Sequence, residues 1–372
     1  MTNAAGKVGP VSQVSPPQPE DDLHEERPAL TVTRRNLVVL GGFLFAAVAA
    51  LYFLLPQLAG LDDTWNRVYD GRPEWTAAAL VLTFGMFGGY VAMFRGVFVR
   101  AGSRIGWAAS YQITMAGLAA SRLFAAGGAG GLVLTAWALR RSGMGRRTVA
   151  DKTISFLVLT YLPYVFAVVL CGFGLHWGLF AGDDPFSLTF VPAVAGVVLL
   201  GIALAIAFIP TDLQRRLSGF AAREGRLGRL TQRLAAVPAA TSAGVRDALD
   251  HLRSRDPALL GAVLFWGFQI AVLWAAFHAF GDAPPIAVLV QAFFLGMLGN
   301  LLPMPGGVGG VEGGMIGAFA AFGIDSGLSV VAVLVYRAFT FWLPLLPGVI
   351  AYFRLRRTVD GWEHERAASA AA

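Results

Sequence analysis

Three ionisable residues stand inside stretches that are otherwise long and apolar: Arg122, Glu312 and Arg337. A charged side chain at the centre of a bilayer costs about 2.5–3.5 kcal/mol on insertion scales, so each needs a reason to be there. One reason is mutual neutralisation, with Glu312 paired to Arg122 or to Arg337. The other is chemistry. Two guanidinium groups and one carboxylate leave a net positive site, and guanidinium forks bind phosphate in bidentate fashion. The two readings are compatible, because a pair can open to admit an anionic ligand.

Glu312 belongs to the most distinctive stretch of the chain, Pro303-Met304-Pro305-Gly306-Gly307-Val308-Gly309-Gly310-Val311-Glu312. Two prolines without N–H donors end a preceding helix. The glycines permit positive φ and close approach. The N–H groups opening the next helix form a natural anion site. A packing role is the alternative, since Gly306/Gly310, Gly309/Gly313 and Gly313/Gly317 are small-residue pairs of the GxxxG type. No Lys-Ser/Thr follows the glycines, so this is not a P-loop.

The elements that carry these residues are apolar helices. The chain has 372 residues, of which 14% are charged, and its mean hydropathy is +0.61. Soluble domains carry about 25% charged residues, so an ordinary cytosolic enzyme is excluded. Six runs reach the roughly 20 residues needed to span a bilayer: Leu37–Ala59, Thr76–Val99, Thr153–Trp177, Leu188–Pro210, Ala258–Phe280 and Leu328–Phe353. The first follows Arg34 and Arg35 and lacks a small-residue cleavage site, so it reads as a span and not a signal peptide.

Two further apolar stretches are too long for one span and too broken for two. Ile105–Leu139 is interrupted at Ser121-Arg122 and by Gly127-Gly128-Ala129-Gly130-Gly131. Ile286–Phe322 is interrupted at Asn300 and by the proline–glycine stretch. Each predicts a re-entrant hairpin of two half-helices, whose broken backbone survives only where protein or water satisfies it.

Charge sets the orientation. With both termini cytoplasmic, 25 of the 29 basic residues fall inside, and only Arg67 and Arg72 fall outside. That bias obeys the positive-inside rule and accounts for the net charge of +6 without nucleic acid as a partner. The first hairpin then enters from the inside and the second from the outside, each flanked by full spans. This is the layout of an inverted repeat with discontinuous helices.

The predicted fold is therefore an all-α polytopic membrane protein with about six spans and two re-entrant hairpins. Residues 1–36 read as a disordered cytoplasmic tail, 37–353 as the transmembrane domain, and 354–372 as a second cytoplasmic tail. Within 211–256, leucines at helical spacing and a short second pattern (Val245, Ala248, Leu249, Leu252) predict amphipathic helices at the inner surface.

The remaining polar residues read as helix glue: Gln112, Gln269, Gln291 and Asn300, the last also counted as a candidate substrate contact. The single cysteine, Cys171, excludes an intrachain disulfide, and five scattered histidines offer no metal-ligand spacing. No metal or cofactor is expected.

The segments LLPMPGGVGGVEGGMIGAFAAFGID and VLVYRAFTFWLPLLPGVIAYFRLRR resemble the lysylphosphatidylglycerol synthase transmembrane-region family, also described as flippase-like. ASRLFAAGGAGGLVLTAWALRRSGM is similar to the first hairpin of that family's actinobacterial-type members. The resemblance covers Ala77–Arg357. It implies a plasma-membrane protein that moves an aminoacylated phosphatidylglycerol between leaflets, with the lipid made by a separate soluble domain. Only a short tail follows Phe353, so that soluble domain is not expected here. The motif positions carried over are Pro303, Pro305, Gly306, Gly307, Gly309, Glu312, Tyr336 and Arg337. The glycines after Arg122 depart from a glycine–acid motif of some relatives, so a proton-coupling acid is missing there.

The expected function is a lipid flippase, with membrane lipids as partners and the substrate held by Arg122, Asn300 and the motif residues. A membrane-embedded lipid-linked transferase, or a non-catalytic subunit working with a cell-envelope biosynthesis partner, are the alternatives.

Overall fold

The computed structural model describes residues 71–99, 103–123, 129–207, 244–254, 257–302 and 304–371. Every regular element among them is a helix. The expected span Leu37–Ala59, the tail before it (1–36), and residues 208–243 lie outside the described residues.

The chain runs α1 (Pro73–Phe98), α2 (Trp107–Leu123), α3 (Ala129–Arg141), α4 (Arg146–His176) and α5 (Phe190–Ala207). A short helix, α6 (244–253), precedes α7 (Pro257–Phe280). Then come α8 (Ile286–Met297), α9 (Gly310–Ala321), α10 (Ser326–Arg337) and α11 (Leu345–Ala371). Helices α1, α4 and α7, and the merged α10–α11, are long and apolar enough to cross a membrane. Their outward faces carry large exposed apolar side chains, such as Val81, Phe84, Val263 and Leu346. A lipid-facing helix is expected to look like this.

α1 and α7 form the most extensive helix pair, running antiparallel. The Arg72 N–H donates to Ala279 O at one end (2.8 Å), and Gly96 lies against Ala258 at the other. Midway, a Cβ at Gly89 would meet Phe265 N at 2.9 Å. Glycine lets the two backbones touch, which is how helices associate where no hydrophobic effect drives them together.

Both broken stretches fold back on themselves. α2 packs on α3, and α8 on α9. α8 and α9 have 12 residues each. At 1.5 Å per residue each is about 18 Å long, well short of a ~30 Å hydrocarbon core. Glycines close each hairpin: Gly131 sits against Gly117 O and Ser121 Oγ, and Gly299 against the Gly310 backbone. The GxxxG pairs at Gly309/Gly313 and Gly313/Gly317 do not pack, because no atom lies within 4 Å of a Cβ built at any of the three. The tight face is one residue round, at Gly310 and Gly314.

The expected final span is not a simple helix. α10 passes through a π-helical turn (Ala338–Trp342) into α11, which continues to Ala371 and packs along α2. The cause is legible in Pro344. It has no N–H, so the Thr340 carbonyl loses its i+4 donor and the helix loosens there.

α4 begins at Arg146, earlier than Thr153. This carries Lys152 into the protein, where its Nζ holds both Asp247 oxygens of α6 (2.8 and 3.0 Å). Burial pushes the Asp247 carboxyl up, but the Lys152 hydrogen bonds and charge outweigh it and hold the carboxyl below its ordinary range. Of the face its spacing predicted, α6 buries Val245 and Ala248, leaves Leu249 half-buried and exposes Leu252.

Candidate functional site

The tips of the two hairpins meet. Gly306, at the turn of the second, lies against the Arg122 carbonyl oxygen at the tip of the first, with the Phe341 ring beside it. Gly306, Gly307 and Gly309 have φ of 60°, 67° and 86°, so this turn requires glycine.

Glu312 is fully buried, and its partner is Arg337, not Arg122. Arg337 Nε donates to Glu312 Oε1 at 2.7 Å, and Arg337 Nη2 donates to Gly306 O at 3.3 Å. Glu312 Oε2 accepts the Gly309 N–H at 2.8 Å. The carboxylate thus caps α9 from its own third position, where the helix dipole favours negative charge. That amide, expected to be free for a ligand anion, is taken by the chain itself.

Arg122 is held differently. Its Nη2 donates to Thr340 O (2.7 Å) and its Nη1 to Phe341 O (3.2 Å), carbonyls of the π-helical turn. Pro344 explains the arrangement: the carbonyl it cannot serve is served by Arg122. Phe341 lies between the two cations, its ring centre 4.2 Å from Arg337 Cζ and 5.3 Å from Arg122 Cζ. Among the described residues Arg122 binds carbonyls and no carboxylate. The three charges therefore sum to one positive charge.

These groups border a cavity of about 320 Å³ at the junction of the two apolar clusters of the core. Of the predicted site residues, Arg122, Asn300, Gly306, Gly307, Tyr336 and Arg337 line it. Glu312 stands behind Arg337 and does not. Pro303 lies outside the described residues, and Pro305 contributes its backbone to a 3₁₀ turn. Asn300 donates within its own turn, to Met297 O at 3.1 Å, and makes no hydrogen bond between helices among the described residues.

Residues the sequence reading passed over complete the walls: Tyr90, Phe94, Tyr161, Thr340 and Phe341. Only Phe341 and Thr340 left a signal, the downstream Pro344. Gln112 Oε1 accepts the Thr358 hydroxyl between α2 and α11, and Gln291 Nε2 donates to Leu188 O in the turn before α5, at 2.8 Å each. Gln269 takes the Tyr336 hydroxyl on its Oε1 (2.8 Å). Among the described residues no three His, Cys, Asp or Glu side chains cluster as metal ligands.

Among the described residues, helices alone, several of them long and apolar enough to span, define an all-α multi-pass membrane protein. The family model "Lysylphosphatidylglycerol synthase TM region" matches residues 38–348, and the chain belongs to that family. It is similar to a UPF0104 membrane protein of Methanothermobacter thermautotrophicus, 24% identical over 342 residues, covering 85% of this chain and 93% of the relative. A second UPF0104 membrane protein match from that organism is 36% identical over 87 residues, 23% of this chain and 25% of the relative.

Proposed function

We propose that the chain moves an amphipathic lipid with an anionic or aminoacylated headgroup across the plasma membrane. The observation that carries this is the unneutralised Arg122 guanidinium at a cavity where two discontinuous hairpins meet. Half-helix ends near the middle of a bilayer are where many transporters hold substrate. The cavity's volume lies at the low end of ligand sites, which run from about 300 Å³ upward. It suits a headgroup, leaving the tails in the surrounding bilayer. The family name, which refers to an aminoacylated phospholipid, agrees with that class of cargo.

The packing supports an inverted repeat. α1 corresponds to α7, the α2–α3 hairpin to α8–α9, and α4 to α10–α11. The relations are reciprocal: α2 packs on α11, and α8 on α4. The cavity is lined from the basic-end halves of α1, α3 and α4, at Phe98, Thr135 and Thr153. The second hairpin and the Glu312–Arg337 pair lie on its other side. With the basic end cytoplasmic, this is an inward-facing arrangement, and rocking one repeat against the other would expose the site outward.

The test is lipid translocation in proteoliposomes, using labelled phospholipid, aminoacyl-lipid and polyprenyl-phosphate probes with leaflet-selective quenching. At least one probe class should move, and Arg122→Ala at equal reconstitution should slow it more than tenfold. If no probe moves with correctly inserted protein, the proposal fails.

A further inference from the structure

Gln269 on α7 carries an unsatisfied group at the same cavity. Its side chain is 5% exposed. The Tyr336 hydroxyl occupies Oε1, and Nε2 is buried with no acceptor among the described residues. A buried amide donor left unmade is destabilising, and structures rarely keep one without a use. Gln291 Oε1 is also buried without a partner among the described residues, but of all such groups only that of Gln269 belongs to a residue lining the cavity.

The position of that donor relative to Arg122 is set by one helical turn. Tyr336 holds Gln269, and Thr340, four residues on, accepts Arg122 through its carbonyl. The Thr340 hydroxyl bonds back to Tyr336 O at 2.8 Å, so the turn is continuous. Gln269 and Arg122 are thus both anchored to one stretch of α10 and its π-helical continuation, four residues apart, and both line the same cavity. The site's single excess positive charge matches a phosphodiester, which carries one negative charge.

We infer that Gln269 determines headgroup specificity, its Nε2 donating to an oxygen on the alcohol side of a phosphodiester lipid held at Arg122. This rests on the headgroup site proposed above. Tyr336 is the positioning residue: its hydroxyl fixes the amide so that the donor is presented.

The experiment compares two lipids of equal charge and acyl chains, phosphatidylglycerol and phosphatidylethanol, binding to the full chain in detergent by native mass spectrometry. Only the first has hydroxyl oxygens beyond the phosphate. The wild-type chain should prefer phosphatidylglycerol by about tenfold, the scale of one hydrogen bond. Gln269→Leu and Gln269→Met should bind both lipids with that preference erased, and Tyr336→Phe should reduce it. Because the readout is a ratio within one sample, a partly unfolded variant lowers both lipids alike and does not mimic the result. An unchanged ratio in both Gln269 variants, or equal binding of the two lipids by the wild-type chain, overturns the role of Gln269 alone. If neither lipid binds the wild-type chain, or Arg122→Ala leaves binding untouched, the headgroup site falls and this inference with it.

Discussion

Glu312 and Arg337 illustrate how one buried pair serves both a turn and a site. The carboxylate closes the first turn of α9, and the guanidinium ties that turn to α10 and to the Gly306 carbonyl. Removing one partner leaves the other charged and desolvated, which costs about 3–5 kcal/mol, whereas replacing both by apolar residues can be nearly neutral. Glu312→Met should therefore lower the thermal unfolding midpoint in detergent more than the double variant Glu312→Met with Arg337→Met. Equal losses in the two would mean that the pair contributes no more than packing. For the same reason Arg122 is the cleaner probe of ligand binding, since its loss strands no carboxylate. The charges themselves were legible in the sequence, because a lone acid in an apolar run demands a partner. Which arginine it takes was not, because Arg122 and Arg337 differ only in where their helices end in space.

At the scale of elements, the hairpins depend on backbone contact through particular glycines, and the sequence offers more glycines than contacts. Gly296 and Gly313 make the contrast. A Cβ at Gly296 would stand 2.7 Å from the Met315 backbone, whereas nothing lies within 4 Å of one at Gly313. Gly296→Ala should cost about 1–3 kcal/mol by forcing α8 and α9 apart. Gly313→Ala should be neutral or stabilise by about 0.5–1 kcal/mol, the conformational cost of a helical glycine. Thermal unfolding of the two variants side by side checks this, and equal destabilisation would refute the assignment of the packed face. The spacing of the glycines fits either face equally well, so only the rotation of α9 against α8 decides between them. The π-helical turn is the opposite case. Pro344 announces that the Thr340 carbonyl must find another donor, and the structure supplies Arg122 from a residue 218 positions away.

For the whole molecule, the distribution of basic residues predicts that the end bearing Arg104, Arg141 and Arg147 faces the cytoplasm. Arg147→Cys, in the first turn of α4, should react with an impermeant maleimide only after cells are lysed. Asp184→Cys, in the exposed loop between α4 and α5, should react in intact cells. The native Cys171 is buried and should contribute little background. The reverse pattern would invert the orientation, and with it the inward-facing reading of the cavity. The sequence by itself determined the helical class, the broken hairpins and the charges inside the apolar region. Those follow from run length, from glycine and proline, and from the cost of burying charge, all local along the chain. Only the tertiary structure decided that Glu312 takes Arg337, that Arg122 serves the π-helical turn, and that Gln269 borders the same cavity with a donor to spare. These depend on how separate helices cross, and no periodicity within one helix encodes which face of another it will meet.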